Sequence, residues 1–523
     1  MANSIKERLK IISEKLNYFP RWSLYSFTAL FLLFSWIYNY DEIFDFGPRS
    51  MHQWRQADCL SITHNYYELD NPFLEPSIHN LGGDGTGKTI SEFPVIYYSI
   101  GKLWQYFGKS ESLFRYINSA IFFLALLSLV KLLESQLKSS FFAIWIVLLL
   151  FTSPTIIYYA NNFLMDVPAL SFAFISLYFY FRWRLSKKPI VYLFFLLFAL
   201  LAGLLKASAL LSFLALSGII FFELLHSFRK KRSLEKGLIW RISGHIIVVI
   251  IVFIWYSYAN HYNSIHNSGN FLIGVLPIWE MSELSIQKTL LAIKDHIKWD
   301  YLRAETFFFS VFTVIIGLLF TRNNKHLKQF LFFMMAGVIS FCILFFGALK
   351  DHDYYTVNLF VILPFIFLVG IKLINQKYPG FSSSLLFKVI LLAFLIHNLD
   401  FARRRIEGRY NPNERKTDDF SPVMIHFETI EPYLDSLGVG TNDKVISLSD
   451  ESINVSLYLM NRRGWTNYNV DSLPEFISKF KGLGARYILC HDTKPFMDKG
   501  FANYFREKKG EYHGVSIYSL SEN

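Results

Sequence analysis

The side chains best suited by type to do chemistry lie between Asp41 and Pro94, in a polar, acidic and aromatic stretch flanked by apolar ones. Within it stands HQWRQAD, residues 52–58. On a helix, His52, Arg55 and Asp58 fall at i, i+3 and i+6 and share roughly one face. A carboxylate beside a guanidinium stays ionised and well positioned, which suits a general base acting on an acceptor hydroxyl. The same spacing also suits a surface ion pair capping an interfacial helix. Ser91-Glu92-Phe93-Pro94 supplies a second carboxylate, at the opening of the aromatic segment VIYYSIGKLWQYFG. It reads equally as a functional acid or as a helix-start carboxylate.

Two further groups stand at the ends of apolar runs. Asn161, Asn162 and Asp166, followed by Pro168, could bind a cation or an acceptor, or form a solvated turn. Lys206 and the run Lys350-Asp351-His352-Asp353-Tyr354-Tyr355 place cations beside aromatics, which suits a phosphate carried on a lipid. For the tyrosines alone, an aromatic belt is the competing reading. Cys59, Cys342 and Cys490 are too far apart in sequence, and too few, for a disulfide framework or a zinc site.

The elements that must hold these groups are membrane helices. Hydrophobic residues make up 53% of the 523, charged ones only 18%, and the mean hydropathy is +0.30. That is too apolar for a water-soluble protein of ordinary make-up. Apolar runs of about 17–25 residues recur from Trp22 to Leu399, each long enough to cross a bilayer. The reading is an α-helical polytopic membrane protein with about eleven spans. Trp22–Tyr38 is long and no small-residue cleavage site follows it, so a removable signal peptide is not expected.

The net charge of +11 is not read as a nucleic-acid surface, because the basic residues sit in short segments between apolar runs. Lys6, Arg8, Lys10, Lys15 and Arg21 precede the first span and place residues 1–21 in the cytoplasm. The segments around Arg182–Lys188, Arg229–Arg241, Arg322–Lys328 and Lys372–Lys377 then fall on that same side. The 41–94 loop, Lys206, the 350–355 run and the tail fall outside. The expected divisions are a transmembrane domain, 22–410, carrying the outer loop 41–94, and a small extracytoplasmic α/β domain, 420–523. In the latter, KVISLSD (444–450), RYILCHD (486–492) and VSIYSL (515–520) alternate with amphipathic segments such as SLPEFISKFKGLG, so a partly parallel sheet is expected.

WRQAD followed by SEFP, Arg115 opening the second span, the Lys206 turn and the late HDYY together resemble the membrane-embedded glycosyltransferases of the GT-C fold. The likeness is to bacterial relatives of the dolichyl-phosphate-mannose protein mannosyltransferases, with the lipid A aminoarabinose transferase a more distant cousin. It covers about residues 20–400. The resemblance implies inverting transfer of a sugar from a polyprenyl-phosphate donor to an acceptor hydroxyl on a glycan, lipid or protein, at the outer face of a bacterial plasma membrane. It implies that Lys206, His352 and Tyr355, with Arg55 as a further cation, hold the donor phosphate. Glu92 would orient the acceptor or a metal, with Asp166 and Asn162 as further candidates for either. In better-known members an Asp-Glu pair opens the first loop and its Asp is the base. Here His52 and Gln53 take those places, so the candidates for the base rank Asp58, His52 and then Asp41. No cofactor is specified, and a divalent ion held by Asp58, Glu92 and Asp166 is an open alternative. Two readings compete with the enzyme: a transporter or flippase of lipid-linked sugars, and a non-catalytic envelope assembly protein.

Overall fold

The computed structural model describes residues 17–229, 236–271, 274–294, 298–320, 325–411, 424–448, 450–468, 470, 473–491 and 502–520. Lys6, Arg8, Lys10 and Lys15, the basic run 230–232 and Arg322 lie outside them. The chain is a multi-pass, mostly helical membrane protein. It divides into two compact units: residues 1–45, 115–255 and 274–408, and residues 46–114, 256–273 and 409–523.

Apolar runs too long for strands become helices because a bilayer offers no partner for a bare peptide group. In chain order they are α1 (Ser23–Ile37), α2 (Gln53–Glu68), α3 (Val95–Phe107), α4 (Glu111–Leu137), α5 (Ser140–Leu150), α6 (Pro154–Ala160) and α7 (Asp166–Ser186). Next come α8 (Pro189–Leu205), α9 (Leu211–Arg229), α10 (Lys236–Ile265), α11 (Ala304–Phe320), α12 (Lys325–Leu344), α13 (Leu363–Lys377) and α14 (Leu385–Tyr410). The apolar runs between Trp22 and Leu399 are helical where the structure describes them. Among the described residues, six helices are long and apolar enough to cross a membrane, or seven if the bent pair α5–α6 counts as one. α1, α8 and Ala304–Gly317 are shorter apolar helices.

The apolar run Phe141–Tyr158, long enough by itself to read as one span, is not one straight helix. The chain bends by 81° between α5 and α6. Ser153 accepts a hydrogen bond from Ile156 N and Pro154 opens α6, an N-cap with proline at the first helical position. Where helices of the first unit pack, small residues let backbones approach. A Cβ on Gly370 of α13 would stand 2.8 Å from Thr313 Cγ2 of α11.

In the second unit, α2 packs along α3, and the C-terminal residues form the expected partly parallel sheet. Its strands are β1 (Lys444–Leu448), β2 (Gly464–Thr466), β3 (Ala485–Cys490), β4 (Lys508–Tyr512) and β5 (Val515–Ser519), in the order β2-β1-β3-β5-β4. β1 runs parallel to β2 and β3, whereas β5 is antiparallel to β3 and β4. β1, β3 and β5 occupy the three segments expected; β2 and β4 are additional. Residues 79–82 attach to the free edge of β2. Gly464 N donates to His79 O at 3.0 Å, Leu81 N to Gly464 O at 2.8 Å, and Trp465 Nε1 to Gly82 O at 2.8 Å. Residues 46–94 of the 41–94 loop and the C-terminal sheet are thus parts of one compact unit.

Candidate active site

The candidate residues fall into two groups, one in each unit. The first is built on α2. His52 is not on the helix: it is the residue before it, in the left-handed region at φ 54°. The expected three-residue face therefore reduces to Arg55 and Asp58, one turn apart, with Arg55 Nη1 3.9 Å from Asp58 Oδ2. The stronger partner of Arg55 is Glu92, both of whose carboxylate oxygens accept from Nη2, at 2.5 and 2.6 Å. Tyr97 on α3 donates to Glu92 at 3.0 Å, Ser91 is also bonded to it, and the guanidinium lies 4.9 Å from the Phe271 ring centre.

Asp58 is 2% exposed, and its Oδ1 has no hydrogen-bond partner among the described residues. Burial pushes its pKa up to about 7, against the pull of Arg55; Glu92 and Asp450 push the same way. The expectation that the neighbouring guanidinium keeps it firmly ionised is therefore corrected, because desolvation outweighs a charge that Glu92 already neutralises. Burial likewise pushes the adjacent Cys59 thiol up to about 12, so it stays protonated at neutral pH.

Asp450 was legible only as the end of a strand. It is buried beyond β1 and accepts from the backbone and hydroxyls of Ser452 and Ser456. Only folding reveals that its charge bears on Asp58. Asp41, third among the expected bases, lies on the exposed side of a short turn, Tyr40–Ile43, in the other unit.

The second group belongs to the first unit. Asp166 opens α7 and Lys206 ends α8, with Lys206 Nζ 3.4 Å from Asp166 Oδ1 and 5.9 Å from the Tyr354 ring centre. The His352 ring centre lies 5.2 Å from that of Tyr354 and 5.4 Å from that of Tyr355. Tyr159 on α6 donates to Asp353 at 2.5 Å, a contact no sequence pattern announced.

Asn162 is fully buried in the link between α6 and α7, where its carbonyl accepts from Asn118 at 2.8 Å and its side chain from Phe163 N at 2.6 Å. Arg115, likewise buried, donates to Asn161 O at 2.5 Å and stacks at 4.1 Å on Phe163. Broken backbone at membrane depth needs such partners. Arg115 and Asn118 thus hold the segment leading into Asp166.

Asp58 and Glu92 lie in one unit and Asp166 in the other. Among the described residues, no three His, Cys, Asp or Glu side chains are grouped to hold a metal ion. Both oxygens of Glu92 are bonded to Arg55, and Asp166 faces Lys206. The carboxylates are thus engaged with the protein's own cations.

The fold is that of the GT-C class, and the chain is similar in structure to ArnT from Cupriavidus metallidurans. The apo ArnT structure matches with a TM-score of 0.57 at 11% identity, covering 94% of this chain and 97% of that one. ArnT bound to undecaprenyl phosphate matches at 0.55 and 11%, covering 95% and 99%. The oligosaccharyltransferase of Archaeoglobus fulgidus, tethered to an acceptor peptide, is similar at 0.49 and 10%, covering 95% and 74%. Residues 59–267 match the family model described as dolichyl-phosphate-mannose-protein mannosyltransferase. No curated protein matches the chain by sequence.

Proposed function

We propose that this protein is an integral membrane glycosyltransferase. It moves a sugar from a polyprenyl-phosphate donor to an acceptor hydroxyl on the extracytoplasmic face, with inversion at the anomeric carbon. The observation that carries the reading is Asp58, a buried carboxylate with one oxygen that has no hydrogen-bond partner among the described residues and a pKa that burial pushes up to about 7. A general base works best when its pKa lies close to the working pH. The family match over residues 59–267 and the undecaprenyl phosphate in the ArnT structure support the substrate class.

In this reading the acceptor hydroxyl gives its proton to Asp58 Oδ1 as its oxygen bonds to the anomeric carbon. The bond from that carbon to the donor phosphate breaks, and the phosphate leaves with the bonding pair. A phosphate needs little protonation to leave but gains from cations as its charge grows. That role is assigned to Lys206, with His352 and Tyr355. Arg55 is reassigned from the phosphate: Glu92 holds it, and it positions Asp58. One carboxylate suffices for inversion, since the leaving group departs unaided by an acid. The N-terminus is proposed as cytoplasmic and the C-terminal sheet as extracytoplasmic. Purified protein given a panel of polyprenyl-phosphate sugars should be thermally stabilised by its donor; stabilisation by none would refute the substrate class.

A further inference from the structure

The first unit holds a cavity of about 680 Å³ that neither candidate group uses, lined among others by Trp183, Arg184, Lys187, His226, Trp240 and Arg241. Arg184 lies 18 residues along α7 from Asp166, so at about 1.5 Å per residue the cavity sits ~27 Å from the Lys206 cluster, at the other end of the same helix. Its volume is that of an ordinary small-ligand site.

The charge in it is unbalanced. Arg241 pairs with Glu223, another lining residue, at 3.0 Å. Arg184 and Lys187 make no ion pair among the described residues; Lys187 instead lies 5.0 Å from the Trp183 ring centre, and Arg241 lies 5.6 Å from the same ring. Three fixed cations against one carboxylate leave a net of +2 around an indole wall. Leu185, Ile190, Phe228 and Ile239, each next to a lining residue in sequence, are 74%, 56%, 60% and 50% exposed. Large aliphatic and aromatic side chains exposed beside a cationic hollow suit acyl chains below and an anionic headgroup within.

We infer that this cavity binds the phosphate-bearing headgroup of an anionic membrane lipid, in a site separate from the proposed donor site. Guanidinium and ammonium take the phosphate oxygens, while Trp183 and Trp240 line the same cavity with indoles, which are favoured where a headgroup meets its acyl chains. A zwitterionic headgroup is disfavoured because its cation would meet Arg184 and Lys187. The inference does not depend on the glycosyltransferase reading.

The test uses full-length protein in detergent, with lipid retention followed by native mass spectrometry. Wild type should retain phosphatidylglycerol at least tenfold better than phosphatidylcholine. Arg184→Gln with Lys187→Gln, two cations that make no ion pair among the described residues, should remove most of that preference while elution volume and melting temperature stay unchanged. Equal retention of the two lipids by wild type, or an undiminished preference in the double variant, would overturn the proposal. So would inorganic phosphate binding as tightly as phosphatidylglycerol, because the site would then hold a free anion rather than a lipid.

Discussion

Asp58 sits in surroundings that work against its own charge. An unperturbed aspartate has a pKa near 3.8, and here it is about 7. The folded chain therefore keeps a proton that the unfolded chain loses between those values, and stability falls as pH rises through that window. The cost above pH 7 is on the order of 4 kcal/mol, from about 3 units at ~1.4 kcal/mol each. Asp58→Asn, which removes the charge, should melt at least as high as wild type at pH 8; a melting point several degrees lower would mean that the ionised carboxylate is a structural partner. As a base, Asp58 must be deprotonated, so transfer should rise roughly tenfold per pH unit below an apparent pKa near 7 and level off above it. A flat profile from pH 5.5 to 8.5 would remove it from that role. Glu92 pushes the Asp58 pKa up, so Glu92→Gln should move the rising limb to lower pH. It should also destabilise, by up to roughly 3–5 kcal/mol, because Arg55 loses its closer carboxylate and keeps only Asp58, at 3.9 Å. On the donor side, Lys206→Ala should raise the KM for the lipid donor about tenfold and change that for the acceptor little.

Much of this site could be read in advance and some could not, for reasons of range. Arg55 and Asp58 are one helical turn apart, so spacing alone revealed them, and Lys206 stood out as a cation between two apolar runs. The Arg55–Glu92 pair spans 37 residues, and the influence of Asp450 comes from the other end of the chain. Neither leaves a local mark. Spacing therefore shows the cation beside Asp58 but not the burial and the acids that act against its charge.

The helices followed from apolar run length, but the bend before Pro154 did not, because hydropathy stays high on both sides of it. β2 is three residues long and β4, KKGEY, is mostly polar. Short and charged strands are how sheets guard their edges, and such strands carry little periodicity to detect. The α2–α3 contact depends on a residue without a side chain. A Cβ on Gly101 would stand 2.7 Å from Tyr66 Cβ and 2.9 Å from Thr63 O. Both neighbours are too near the helix backbone to swing aside, so Gly101→Val should prise α3 from α2. A loss of 2 kcal/mol or more is expected, of the order seen for overpacked cores, read as a lower melting temperature. An unchanged melting temperature would show that the two helices do not approach as described.

At the scale of the whole molecule, charge and hydropathy determine the reading together. An excess of +11 on a chain this apolar fits basic residues collected in short segments between apolar runs, which the charge rule places on the cytoplasmic side. A reporter fused after Asn523 should accordingly read as extracytoplasmic, and a cytoplasmic signal would break the expected alternation. The claim on which the rest depends is that Asp58 takes the acceptor's proton. Its most direct test is sugar transfer by purified Asp58→Asn protein, supplied with the polyprenyl-phosphate donor that stabilises wild type. The account predicts that donor stabilisation is retained while turnover falls by at least a hundredfold; turnover within a few fold of wild type would contradict it.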